Sequence, residues 1–358
     1  MEIMAEMGLA DRLLQLPHTK LRSVTLRAPD SSVIFAFNFE HLKTHFPYVT
    51  VMPQVRFLDF IVAEAKQYPN FQLVLGANVQ ELVEEEGAIR GVHYRGHGGW
   101  HEVRAQVTIG ADGRHSRLRD LAGLEAVQTS APMDVLWFRL LRLPEDAAGL
   151  NEGTGQGQMT AEGLNGRIGQ GRMTVLLDRG EQWQIAYIIP KGGYQQVRTS
   201  GLETLRQNIV EILPEFKERV QQLQDWQQIA FLSVESSYVR RWYRPGLLLI
   251  GDAAHVMSPV GGVGINYAIQ DAVVAANHLS QPLKNKQVKI SHLAAVQQQR
   301  QLPTRFIQTF QSFIQQNLIK SVLTNQTFQP PALLKLPILR DIPAWIVGFG
   351  LFPPHVQC

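Results

Sequence analysis

The residues best suited to chemistry sit in two strand-to-helix turns. In the first, VTIGADGRHSRLR (Val107 to Arg119), an apolar run ends at Gly110 and the turn places Asp112 beside Arg114 and Arg117. Two readings of Asp112 stand side by side. It either pairs with Arg114 or caps the helix that follows, or it faces a ligand. In the second, LIGDAAHVMSPVGGVGIN (Leu249 to Asn266), the run ends at Asp252, and Pro259, Gly261, Gly262 and Gly264 lead into a helix. A carboxylate at a strand end accepts hydrogen bonds from hydroxyl groups. A glycine-rich helix start lets a negative or electron-rich group approach unpaired N–H groups and the positive end of the helix dipole. The second turn therefore offers an acceptor for a polyol and donors for an electron-rich ring.

The elements that must position these turns follow from hydrophobic periodicity. Glu2 to Leu16 reads as a helix, followed by strands SVTLRA (Ser23 to Ala28) and SVIFAFNF (Ser32 to Phe39) around the turn residues Pro29 and Asp30. Phe57 to Tyr68 reads as a helix, and FQLVLGANVQELVEEEGAIRGVHYR reads as strands turning at Glu86-Gly87. From Met133 to Val239 the strand runs VLWFRLLRL, MTVLLDR and QWQIAYIIP, with one helix from Leu202 to Leu213, predict a mostly antiparallel sheet inserted into an α/β domain. Helices are then expected from Val263 to Leu279 and from His292 to Leu323, the latter with Gln297 to Gln299 on a solvated face. The resulting division is residues 1–130 and 240–290 as one discontinuous α/β domain, with 20–45 joining the inserted sheet, 131–239 as that sheet, and 291–358 as a C-terminal helical region.

Composition removes several function classes. The 358 residues carry a formal charge of +3 with no block of like charges and no nucleic-acid module, so no nucleic-acid partner is expected. The single cysteine, Cys358, excludes a disulfide framework, and the histidines show no metal-ligand spacing, so no metal is expected. The N-terminal residues lack the basic-then-apolar order of a signal peptide, and the apolar tract Ala344 to Phe352 is too short to span a bilayer. These features suit a soluble, cytoplasmic protein; the C-terminal apolar residues would cover the α/β domain or a dimer partner.

GADGRHSRLR and LIGDAAHVMSPVGGVGINYAIQDA resemble the "DG" and "GD" motifs of the flavin-dependent aromatic hydroxylases of the p-hydroxybenzoate hydroxylase type. The order of the motifs, with a sheet-rich insertion between them, also matches. The resemblance implies an FAD-binding, glutathione-reductase-like Rossmann domain with a substrate sheet over the flavin. It implies that Asp252 binds the ribityl chain, that Pro259 lies against the isoalloxazine, and that the backbone of Gly261, Gly262, Gly264, Ile265 and Asn266 faces its pyrimidine side. Asp112 would lie near the pyrophosphate and the path of the nicotinamide donor, with Gly113 and Arg114 shaping that turn. Gln54, in MPQVRFLDF, is similar to a family glutamine that contacts the cofactor. The family also opens with a strand, a G-x-G-x-x-G turn and a helix, whereas no G-x-G-x-x-G occurs in these residues. The N-terminal part of the Rossmann domain is therefore expected to be incomplete; an incomplete gene product, an upstream start or a second chain would each account for it.

The activity implied by this resemblance is FAD-dependent monooxygenation of an aromatic or polyketide-like small molecule, using NADPH or NADH and O2 through a flavin C4a-hydroperoxide. Trp137, Phe138, Trp183, Tyr187 and Ile188 would line a substrate wall, although core packing is the simpler role for each one. His255 is expected to be satisfied by backbone, and no side chain is assigned as a catalytic acid or base. Other flavin oxidoreductases, of reductase or halogenase type, and a truncated non-catalytic relative are the alternatives. The W-x-W-x-I-P signature of the halogenases is absent.

Overall fold

The computed structural model describes residues 1–28, 30–143, 163–324, 326 and 341–357. Met133–Leu141 is a nearly continuous apolar run, buried on both faces over its first half, and its successive side chains point to opposite sides of the strand. It pairs antiparallel with Gln182–Pro190, which pairs with Arg172–Asp178, which in turn pairs with Gly163–Gly169. Gly163–Gly169 then runs parallel to Ser23–Arg27. Val33–Asn38 and Ala230–Leu232 form the two edges, completing a sheet of seven described strands.

One face of this sheet carries Leu136, Phe138, Leu140, Trp183, Ile185 and Tyr187, packed under Leu205, Ile209 and Phe216. The helices Tyr194–Ser200 and Leu202–Ile212 cover that side. The other face carries Met133, Val135, Trp137, Ala186 and Ile188, packed with Val260, Ile319 and Val322. The five residues expected to share one wall are thus divided. Trp137 and Ile188 face the glycine-rich turn, while Phe138, Trp183 and Tyr187 are core residues beneath the helices. Neighbours along a strand point to opposite sides, so a wall drawn from consecutive residues must split.

The α/β part is built on Leu247–Leu249, wholly buried, lying parallel to Thr108–Gly110 and antiparallel to Tyr243–Arg244. Burial of each of these leucines contributes roughly 1.5–3 kcal/mol. Helices Gly264–Lys284 and Ile290–Ile314 pack on this strand through Val274, Ala275, Leu279, Leu293 and Val296. A meander of Asn78–Glu85, Ala88–Gly96 and Gly99–Arg104 is attached beside it. Its first reversal is at Glu86-Gly87, where both residues have positive φ (50° and 73°), as a tight hairpin requires. At the attachment point, a Cβ on Gly246 would stand 1.9 Å from the Ile89 carbonyl oxygen, so only glycine permits the approach.

Four elements differ from the sequence expectation. The first helix breaks at Gly8, φ 70°, into Glu2–Glu6 and Ala10–Leu14. FQLVL, Phe71 to Leu75, is irregular and exposed, with Leu75 at 81%, because no neighbouring strand among the described residues takes its backbone groups. The long C-terminal helix ends at Ile314 and passes through a π-turn, Gln315–Ile319, into Lys320–Leu323. Gln297 is buried, donating to the Arg240 carbonyl at 2.8 Å and accepting from the Trp242 N–H at 3.0 Å, while Gln298 and Gln299 face solvent. Residues 327–340, which include the start of the apolar C-terminal stretch, lie outside the described residues. No described helix is long and apolar enough to cross a membrane.

Candidate functional site

Parallel pairing of Thr108–Gly110 with Leu247–Leu249 brings both turns to one end of the sheet, with the Ile250 N–H bonded to the Gly110 carbonyl at 2.9 Å. The approach depends on Gly110, where a Cβ would meet Leu249 at 2.6 Å. The C-terminal ends of parallel strands are where open α/β sheets bind ligands.

In the first turn, the Asp112 carboxylate accepts from the Ser116 hydroxyl at 2.5 Å and from the Leu118 N–H at 3.0 Å. Ser116 in turn accepts from the Arg119 N–H at 3.0 Å, capping Arg117–Leu121. Asp112 is therefore a helix-capping residue, and no ion pair joins it to Arg114 among the described residues. Gly113 has φ +85° with open space where a side chain would project. Arg117 reaches Gln80 at 2.7 Å, and His115 is exposed.

In the second turn, Gly251 has φ +58° and a Cβ there would stand 3.0 Å from Ala268, so the chain reverses tightly against the following helix. Asp252 comes next, half-buried, and its carboxylate has no hydrogen-bond partner among the described residues. Burial pushes this carboxyl above its usual value, against the pull of the His255 and Arg114 charges. The charge of Arg114, in the first motif, thus acts on the acid of the second. Pro259 to Gly262 then form a short turn with φ of +80° at Gly261 and +64° at Gly262, both exposed. Gly264, Ile265 and Asn266 open the 21-residue helix Gly264–Lys284, and N–H groups of a first turn have no partner inside their helix. Ile265 and Asn266 are exposed, so this helix start is open to a ligand. The C-terminal helix Ile342–Gly348 lies alongside, with Val347 3.7 Å from where a Gly261 Cβ would stand. Gln54, itself exposed, begins the helix Gln54–Ala65 and has no hydrogen-bond partner among the described residues.

Beneath the second turn lies a polar network that the sequence reading missed. Asp271, fully buried, accepts from the Gly251 N–H at 2.9 Å, lies 2.6 Å from His255 Nε2, and accepts from Arg300 Nε at 2.7 Å. His255 is therefore held by a carboxylate rather than by backbone. Burial alone would raise the Asp271 carboxyl; the His255 and Arg300 charges and hydrogen bonds outweigh it and hold the group below its usual value. Arg300 also lies over the Tyr267 ring, 5.3 Å from its centroid. Further along the same helix, Gln308 donates to the Ser237 and Val256 carbonyls, and Gln311 donates to those of Ser258 and Val260 at 2.9 and 2.7 Å. The signal in the sequence was a polar stripe at helical spacing: Gln297, Arg300, Thr304, Gln308 and Gln311.

Residues 1–309 match the family described as FAD binding domain. The chain belongs to this family. Among its relatives, 6-methylpretetramide 4-monooxygenase of Streptomyces rimosus is 32% identical over 255 residues, covering 71% of this chain and 57% of the relative. The chain spans about half the length of the first relatives it matches. In fold it is similar to PqsL, a probable FAD-dependent monooxygenase from Pseudomonas aeruginosa, with TM-score 0.71 and 18% identity over 89% of this chain and 83% of that one. It is also similar to the flavin-dependent brominase Bmp2, with TM-score 0.73 and 15% identity over 97% and 81%.

The residues present suit the ribityl and ring end of FAD. An unpartnered, half-buried carboxylate matches hydroxyl donors, and an open glycine turn leading into a helix start matches a flat, electron-rich edge.

Proposed function

We propose that the chain is the flavin- and substrate-binding body of an FAD-dependent monooxygenase that hydroxylates an aromatic or polyketide-like small molecule. NADPH or NADH serves as electron donor and O2 as co-substrate. The observation that carries this reading is the half-buried Asp252 carboxylate without a partner, beside the open helix start at Gly264, beneath an apolar sheet face. Family membership and the 6-methylpretetramide 4-monooxygenase relative support it.

In this reading Asp252 accepts hydrogen bonds from ribityl hydroxyls, the Pro259 ring lies against the isoalloxazine, and Gly261 and Gly262 leave its edge free of side chains. The N–H groups of Gly264, Ile265 and Asn266 stabilise negative charge at the pyrimidine edge. Gly113 and Arg114 complete the surface from the first turn, with Asp112 fixing that turn's shape; Gln54 is a further cofactor contact. Bound FAD supplies the redox chemistry, taking electrons from the nicotinamide donor and activating dioxygen. Trp137, Val135 and Ile188 cover the site and exclude water.

The test is a visible absorption spectrum of the purified chain before and after incubation with FAD, followed by NAD(P)H oxidation and oxygen uptake with candidate phenols. Stoichiometric flavin uptake with oxygen-dependent product is the expected result. Flavin uptake with no oxygen-dependent product would exclude the monooxygenase reading, and failure to take up flavin would exclude the cofactor assignment for this chain.

A further inference from the structure

Large apolar side chains are exposed in two regions, and charge separates them. In the first, Val55, Leu58, Val74 and Leu75 stand in a stretch that carries both signs, Arg56 and Lys66 with Asp59 and Glu64. The second is on the long helix Ile290–Ile314, where Leu302, Phe306 and Phe313 are 60%, 39% and 52% exposed. Steps of four and seven residues set these three on one stripe of the helix, with the exposed Thr309 between them. Phe310, at the border of the stripe, packs with Ile346 and Val347 of the helix Ile342–Gly348. That shorter helix exposes Ile342 and Trp345, one turn apart. Two adjoining helices thus turn large apolar side chains to solvent together, and a contiguous patch of this kind marks an interaction surface.

The charge around this patch has one sign. No acidic residue occurs between Asp271 and Asp341, whereas eight Lys and Arg residues do, so the rest of the chain is net acidic against a total of +3. Lys284, Lys286 and Lys289, at the turn that feeds the long helix, are exposed, as are Arg305 beside the stripe and Lys320 beyond it. Asp341, at the edge, is paired with His41 at 3.0 Å. Two copies meeting through this face would set cations against cations with no acid to answer them. An aromatic stripe flanked by cations alone fits a bilayer interface, with rings at the acyl boundary and Lys and Arg at anionic headgroups.

We propose that the outer faces of helices Ile290–Ile314 and Ile342–Gly348 dock the protein on an anionic lipid bilayer, lying in its interface without crossing it. The inner face of the longer helix bonds to the Ser258 and Val260 carbonyls through Gln311, so the docking surface stands directly behind the glycine-rich turn.

The experiment is co-sedimentation of the purified full chain with vesicles of phosphatidylcholine alone and of phosphatidylcholine mixed with phosphatidylserine. Each Lys or Arg near an anionic surface strengthens binding about fivefold, so binding to phosphatidylcholine alone should be about tenfold or more weaker. Salt at about 0.5 M should release the protein. Phe306→Ser/Phe313→Ser should weaken binding to the anionic vesicles about tenfold or more. Arg305→Gln/Lys320→Gln should do the same on the anionic vesicles and change nothing on phosphatidylcholine. Near-ultraviolet circular dichroism reports folding of each variant, and Trp345→Ser keeps the test open if the phenylalanine pair fails to fold. Val74→Ser/Leu75→Ser, in the region of mixed charge, should leave binding unchanged. Equal binding to both vesicle types, binding to neither, or a loss caused by Val74→Ser/Leu75→Ser would overturn the proposal. So would a dimer in sedimentation velocity that Phe306→Ser/Phe313→Ser splits while vesicles bind nothing, which would assign the patch to a second copy.

Discussion

Replacing Asp271 by Asn tests whether the second turn is held from below by a buried charge. The substitution keeps one acceptor for the Gly251 N–H but removes the negative charge between His255 and Arg300, whose contacts to Asp271 are 2.6 and 2.7 Å. Hydrogen bonds to charged groups contribute about 1.5–3 kcal/mol each, and breaking a buried pair from one side costs about 3–5 kcal/mol. Arg300 is 1% exposed and its Nη1 and Nη2 already lack acceptors, so water cannot compensate and the upper half of that range is expected. Urea unfolding at pH 7 would show a loss of about 4 kcal/mol, a large share of the 5–15 kcal/mol of a typical domain. The double variant Asp271→Asn/Arg300→Met, which removes the stranded cation as well, should regain about 1–4 kcal/mol of that loss. The sign with pH follows from linkage. The Asp271 carboxyl is held below its usual value when folded, so its contribution is present above the unfolded value near 4 and is lost as pH falls through the folded value. The gap between the original chain and Asp271→Asn should therefore be constant from pH 7 to about 5 and shrink below about 4. A loss under about 1 kcal/mol, or strict additivity in the double variant, would refute a coupled buried pair.

Asp252→Asn should weaken flavin binding by about tenfold or more, read by fluorescence quenching, while flavin-free stability at pH 7 stays level or rises. The second half follows because the folded carboxyl is raised, so its charged form destabilises the fold above the unfolded value, and the amide relieves that. Gly251→Ala should cost about 1–3 kcal/mol by thermal unfolding, since φ is +58° and the new Cβ meets Ala268 at 3.0 Å. Trp137→Ala should weaken aromatic ligands, whereas Tyr187→Phe should not, because Tyr187 lies under the helices on the opposite face. Burial pushes the Tyr187 hydroxyl up to about 12, so it should give no phenolate absorbance below about pH 11.

The local grammar of both turns was written in the sequence. Gly110, Asp112, Asp252, Gly261 and Gly262 mark strand ends and positive-φ positions by residue type alone, and the nearly continuous apolar run of Met133 to Leu141 marks a strand covered on both sides. The FAD binding domain family was legible for the same reason, since motif order along the chain survives without coordinates. Tertiary structure decided what those residues face. Phe138 and Trp137 are neighbours in sequence yet belong to different cores, because a strand sends them to opposite sides. Gln297 looked solvated within a polar run, yet it is buried because its helix turns that residue toward Trp242. FQLVL has the composition of a strand and stays irregular, because a strand exists only where a neighbour accepts its backbone. The Asp271 network joins residues 16 and 29 positions apart, and the charge of Arg114 in the first motif acts on Asp252 in the second. Hydrophobic periodicity fixes which residues are apolar together; the partner of a buried charge is set by packing in three dimensions, where sequence separation has no bearing on distance.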